Sequence, residues 1–315
     1  MPHKVPAATQ TGPRPKREKR DVNGWLVLDK PVGMTSTHAV SVVRRRFAAK
    51  RAGHAGTLDP LASGCLPIAL GEATKTVPFV MDGRKTYHFT VRWGEERDTD
   101  DAEGRIVSSC AARPEANAVR VLLPRFTGTI AQVPPRFSAL KVDGERAYDL
   151  AREGEMVELA PRPVEIHRLE LVAMPDPDHA VFAAECGKGT YVRSLARDMG
   201  RALGCLGHVA ALRRTCVGPF TEDCAVKLEA LPEAAPTEAA ALLLPVAAGL
   251  AALPCLTVSQ ADAGRLARGQ PVLLRGRDAP LLQGWTAVFT QGALVGLAEA
   301  DKGELHPRRI FNLPR

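Results

Sequence analysis

Between Thr86 and Gly94 the chain alternates without a break, with Tyr87, Phe89, Val91 and Trp93 falling on one side and Thr86, His88, Thr90 and Arg92 on the other. Successive side chains of an extended backbone point to opposite faces, so this pattern predicts a strand with one buried face. Trp25–Lys30, Val164–Val172 and Val181–Cys186 read as further strands, bounded by Gly, Pro and polar turns. Helical spacing comes between them. Ser36 is placed to cap a helix carrying Val40, Val43 and Phe47 on one face, with Arg44, Arg45 and Arg46 fanning outward. A second helix is expected near Ala116 to Phe126. A third carries Val192, Leu195, Met199 and Leu203 as its apolar stripe, with Tyr191 and Arg193 off that stripe.

A chain of 315 residues can bury a full core and hold a second, smaller domain. Residues 1–22 are rich in Pro, Lys and Arg, lack apolar periodicity and read as a disordered basic tail, with order beginning at Gly24. The formal charge is +7, and the six basic residues against one acid within residues 1–20 supply five of it, so the body is close to neutral. The segment 133–163 is a long excursion studded with Pro and Gly and with Arg136, Lys141, Arg146, Arg152 and Arg162; loops of that length are commonly functional. Residues 229–253 read as a connecting helix and linker. The main body is therefore expected over 23–249, and a small β module over 250–315, on the short strands around Val272–Leu274, Trp285–Phe289 and Ala293–Leu297.

Several chemistries are excluded by pattern. The seven cysteines form no Cys-x-x-Cys pair, which argues against a zinc site or a disulfide framework and for reduced, buried thiols. Gly71-Glu72-Ala73-Thr74-Lys75 fails the phosphate-loop spacing, and no dinucleotide fingerprint occurs. Asp98-Thr99-Asp100-Asp101-Ala102-Glu103-Gly104 has the look of a calcium loop but puts Ala102 and Glu103 where a ligand and the glycine belong. No metal or cofactor is expected. No apolar run reaches the length of a membrane span and the N-terminus lacks a signal core, so a cytoplasmic location is expected.

One stretch invites chemistry. Gly53-His54-Ala55-Gly56-Thr57-Leu58-Asp59-Pro60 fixes a lone carboxylate in a glycine-bracketed turn, with Pro60 biasing Asp59 away from helical angles. From the residues alone Asp59 either ties the turn or acts as a catalyst.

Four separated blocks decide between these. Gly24–Ser36, Gly53–Gly64, Gly71–Lys75 with Lys85-Thr86-Tyr87, and Gly187–Leu195 with Leu212-Arg213-Arg214 together resemble the TruB-type tRNA pseudouridine synthases, in order and spacing, from residue 24 to about 220. The resemblance implies an α+β pseudouridine synthase fold, a mixed and largely antiparallel sheet flanked by helices, followed by a PUA-like RNA-binding module. It implies isomerisation of the T-loop uridine at tRNA position 55, without cofactor or guide RNA, by a monomer whose partner is the tRNA T-arm. Asp59 matches the family's catalyst, which acts by attack on ribose or base or by proton abstraction toward a glycal. Arg193 matches the arginine that pairs with it, Tyr87 the residue stacking on the extruded base, and Tyr191 and Leu212 residues lining the pocket. His54 matches the histidine that enters the T-loop to fill the space the flipped base leaves, and the 133–163 excursion a loop that closes over RNA. A module that only binds and refolds tRNA is the competing class, and the joint presence of Asp59, Tyr87 and Arg193 weighs against it.

Overall fold

The computed structural model describes residues 18–138, 159–232, 240–274 and 282–314, and the backbone of 141–142 and 145–146. Ten strands form one sheet. Its order runs Val226–Lys227, Gly24–Lys30, Ala62–Leu70, Gly207–Val217, Lys85–Trp93, His179–Cys186, Arg162–Asp176, Gly128–Gln132. Ala52–His54 pairs beside Ala62–Leu70, and Phe220–Thr221 beside Gly207–Val217. Only the Gly24/Val226 and Ala62/Gly207 pairings are parallel. The sheet is thus mixed and largely antiparallel, and with its flanking helices the fold is α+β.

The alternating strand forms over Lys85–Trp93, with Phe89, Val91 and Trp93 buried. Phe89 stacks on Phe182 of the neighbouring strand at 5.3 Å between centroids, and Trp93 meets the same ring edge-on. Leu195 and Met199 of the helix Val192–Ala202 pack into this cluster. Strand Gly24–Lys30 reads as an unbroken apolar run because both of its faces are covered. Leu26 and Leu28 face the helices, whereas Trp25 and Val27 pack with Ala287, Leu297 and Phe311 of the C-terminal sheet.

That second sheet has five strands in the order Cys255–Thr257, Gly284–Thr290, Ala293–Asp301, Glu304–Ile310, Val272–Leu273, and carries the helix Gln260–Ala267. The hydrophobic alternation at its strands was legible; the helix, whose stripe is only Ala263 and Leu266, was not.

Four local expectations are corrected. The cap of the first helix is Thr35, whose hydroxyl accepts from His38 N, and the helix runs Ser36–Arg46. Chain order starts before Gly24, since Arg20 exchanges backbone hydrogen bonds with Ala48 and Lys50. In the described part of the supposed connecting helix, Leu244 bridges to Trp25 and Val246–Leu250 form a 3-10 turn buried against the large sheet. The cysteines are all free, but only Cys65, Cys186 and Cys205 are buried and Cys255 is exposed. The tail over 1–17, Ala139, Leu140 and Arg152 lie outside the described residues. No helix among the described residues is long and apolar enough to cross a membrane.

Candidate active site

Three adjacent strands at the centre of the large sheet bring the site together. Leu212 pairs with Ala62 on one side and Phe89 on the other, and Arg214 lies between Gly64 and Tyr87. Gly64, at φ +98°, has no alternative, because a Cβ there would sit 2.3 Å from the Arg214 carbonyl oxygen. The loop 56–60 leads into Ala62–Leu70, and the helix Val192–Ala202 lowers its first turn onto that loop.

Side chains from distant parts of the chain hold the loop almost residue by residue. Arg214, 1% exposed, donates to Gly56 O at 3.0 Å, Thr57 O at 3.3 Å and Cys65 O at 2.9 Å. The buried Ser36 hydroxyl donates to Leu58 O at 2.9 Å and accepts from Leu58 N at 2.8 Å. Lys30, fully buried, donates to Pro31 O, Met34 O and, at 3.5 Å, Pro60 O. Burial pulls the Lys30 ammonium down to about 8, with the Asp59 charge opposing the fall.

Asp59 itself faces Arg193. The guanidinium Nη2 donates to Oδ1 at 3.2 Å and Nε lies 2.9 Å from Oδ2. Arg193 is spent on this task, since its remaining groups donate to Thr99 O and Phe137 O and Nε also faces Asp101 at 3.7 Å. An arginine held this way positions a carboxylate and has no proton to lend. One turn along the helix, Arg197 pairs with Asp100 at 2.9 Å. The acidic stretch that fails as a calcium loop therefore buries Asp100 and Asp101 against two arginines. Burial raises the Asp100 carboxyl to about 6, with Arg197 opposing it.

A cavity of about 310 Å³ opens over Asp59, with Tyr87, Tyr191, Arg193, Leu212 and Lys85 among its walls. The Asp59 side chain is a third exposed, and so accessible from this space. Burial holds the Tyr87 and Tyr191 phenols above their usual range. Gln132 fixes the Tyr191 backbone by two hydrogen bonds. Lys85 donates to Met81 O and Gly83 O, and burial lowers it to about 8. Five of the six expected site residues thus share one cavity. His54 does not line it: it sits half-buried on the edge strand Ala52–His54, where burial and then the Arg214 charge favour its neutral ring.

Lys30, Ser36, Lys85, Asp100, Asp101, Arg197 and Arg214 were not among the site residues expected from the sequence. The signal for Arg214 and Lys30 was a charged residue ending or interrupting an apolar strand. That for Arg197 was its place four residues beyond Arg193, on the same helix face.

The chain matches three consecutive family models: TruB family pseudouridylate synthase (N terminal domain) over residues 44–192, tRNA pseudouridylate synthase B C-terminal domain over 193–251, and Pseudouridine synthase II TruB, C-terminal, over 254–311. It is 63% identical to the tRNA pseudouridine synthase B of Bradyrhizobium diazoefficiens, across 99% of this chain and 95% of that protein. It is 65% identical to the protein of the same name in Rhodopseudomonas palustris, across 95% and 84%. Among solved structures, a chain of a Cbf5-Nop10-Gar1 complex superposes with a TM-score of 0.72 at 24% identity, covering 91% of this chain and 84% of that one, which shows a shared fold.

Proposed function

The chain belongs to the TruB family of pseudouridylate synthases, which isomerise uridine in tRNA to pseudouridine, and we propose that Asp59 is the residue on which its chemistry turns. The observation that carries the reading is the pairing of a cavity-facing carboxylate with a buried arginine that has no other freedom. The isomerisation breaks the bond from ribose C1′ to N1 of the base, turns the base, and joins C1′ to C5; the C5 proton leaves and N1 gains one. No electrons are gained or lost. Asp59 acts as a covalent or acid/base catalyst on the flipped-out nucleotide, Tyr87 faces the extruded base, and Tyr191 and Leu212 form the pocket around it. The target is the T-loop uridine at conventional tRNA position 55.

His54 takes a different part. A base leaves its stack at a cost of a few kcal/mol, and a neutral imidazole on the edge beside the cavity suits the vacated space. The catalytic body spans 23–249 with its RNA-closing insertion at about 133–163, the PUA-like module spans 250–315, and the tail 1–22 adds unspecific phosphate attraction. The enzyme works in the cytoplasm as a monomer on tRNA alone.

Asp59→Asn is the deciding variant. On a T-arm transcript with no other RNA present, the wild-type chain forms pseudouridine, and the variant binds equally well but forms none. Near-normal turnover by the variant would sink the assignment, and a requirement for a second RNA would sink the stand-alone mode.

A further inference from the structure

A second cavity, of about 470 Å³, lies where the C-terminal sheet meets the short helix Val77–Asp82, and nothing in the reaction described above uses it. Phe79, Trp285 and Arg309 are among its walls, with Pro78, Asp82 and Leu253. The two rings stand edge to face, centroids 5.4 Å apart, and Trp285 is left 39% exposed. An indole open to solvent beside an arginine is an arrangement that holds an unstacked nucleobase, the ring taking the base face and the guanidinium the phosphate. Arg309 is exposed and makes no ion pair among the described residues. The acid in the wall does not repel a phosphate strongly, because Asp82 is paired with Lys188 at 2.9 Å.

The position of the groove selects RNA over other aromatic ligands. Asp82 lines both this groove and the cavity over Asp59, and Met81 lines the latter while 44% exposed. The helix Val77–Asp82 therefore stands between the two cavities, and the groove is within reach of a strand engaged at the catalytic one. We infer that the groove between Phe79, Trp285 and Arg309 binds an unpaired nucleotide of the tRNA substrate at a distance from the reacting uridine, an inference that rests on the tRNA reading above. The site adds affinity and register. It contributes nothing to the bond-breaking step.

The protein carries its own reporter. Of its three tryptophans, Trp25 and Trp93 are fully buried, so solvent-accessible indole emission comes from Trp285. Full-length protein titrated with a tRNA transcript loses that emission, whereas a fully paired RNA duplex leaves it unchanged. Base–aromatic stacking is worth roughly 1–3 kcal/mol per base, so Trp285→Ala raises KM for the transcript about fivefold or more at unchanged kcat, and Trp285→Phe restores most of it. Arg309→Glu, at an exposed position that does not threaten folding, raises KM likewise. Equal quenching by duplex and transcript, or an unaltered KM in both Trp285→Ala and Arg309→Glu, overturns the inference. Absence of pseudouridine formation by the wild type would overturn the functional reading instead, and the quenching titration would still decide this one.

Discussion

The loop 56–60 and the junction between the two sheets are held by opposite means. The loop sends one side chain, Leu58, into the apolar core, and its carbonyls and carboxylate are met by Arg214, Ser36, Lys30 and Arg193, which come from positions as far as 158 residues away. The junction is apolar. Ala287, Leu297 and Phe311 pack on Trp25 and Val27, and only a few polar links are added: Lys75 to Ile310 O, and Asn312 N to Glu72, each at 2.8 Å. Hydrophobic contact is non-directional and tolerates small slips, whereas a donor aimed at a carbonyl fixes position to a few tenths of an ångström. The difference teaches where this molecule needs accuracy: at one carboxylate, and much less where the module docks.

The heaviest blow to that contrast is Arg214→Met. It removes the donor from three carbonyls, that of Cys65 buried and those of Gly56 and Thr57 partly buried, each costing about 1–3 kcal/mol where water does not replace it, so urea unfolding should show a loss of about 3 kcal/mol, and kcat on a T-arm transcript should fall by more than KM rises. Turnover within twofold of wild type would mean that the loop needs no clamp.

Asp100→Asn sharpens the comparison through pH. The native Asp100 carboxyl is raised to about 6 from an ordinary value near 3.8, so between those values the folded chain holds that proton more tightly than the unfolded one. Its contribution to stability is therefore full below about 4 and lost as pH rises through 6. Urea titrations of wild type and Asp100→Asn should move in favour of the wild type as pH drops from 6 to 4; the opposite trend would show that the Arg197 pair outweighs burial. Activity should add an acid limb near pH 6 in the wild type, as protonation releases Arg197 beside Arg193, and this limb should vanish in the variant.

The smallest effect belongs to the junction. Glu72→Gln removes the ion pair with Lys75 at 2.6 Å but leaves an acceptor for Asn312 N. A stability change of about 1 kcal/mol or less is expected, with kcat unchanged; a large fall in kcat would erase the distinction between the two regions.

What could be read in advance divides along the same line. The alternation at Tyr87–Trp93 and the stripe at Val192, Leu195 and Met199 became the core because burial patterns are local and periodic. The cap was misplaced by one residue, since Thr35 and Ser36 are both good caps and only the fold sends Ser36 to Leu58. Arg193 lies off the apolar stripe, as its spacing indicated, yet it is 5% exposed. No periodicity announces a buried arginine whose partners stand on other elements.

By itself the sequence determined four strands of the large sheet, its principal helices, the glycine-bracketed turn carrying Asp59 and, through its motif blocks, the family. Those are properties of neighbours along the chain, where backbone preference and side-chain alternation act. Only the tertiary structure decided that Lys30, Ser36 and Arg214 grip the turn, that the acidic stretch 98–104 serves two arginines, and that Phe79, Trp285 and Arg309 line one groove. Each of these joins residues far apart in the chain, and which distant donor reaches which carbonyl is set by strand order and register, which no local pattern encodes.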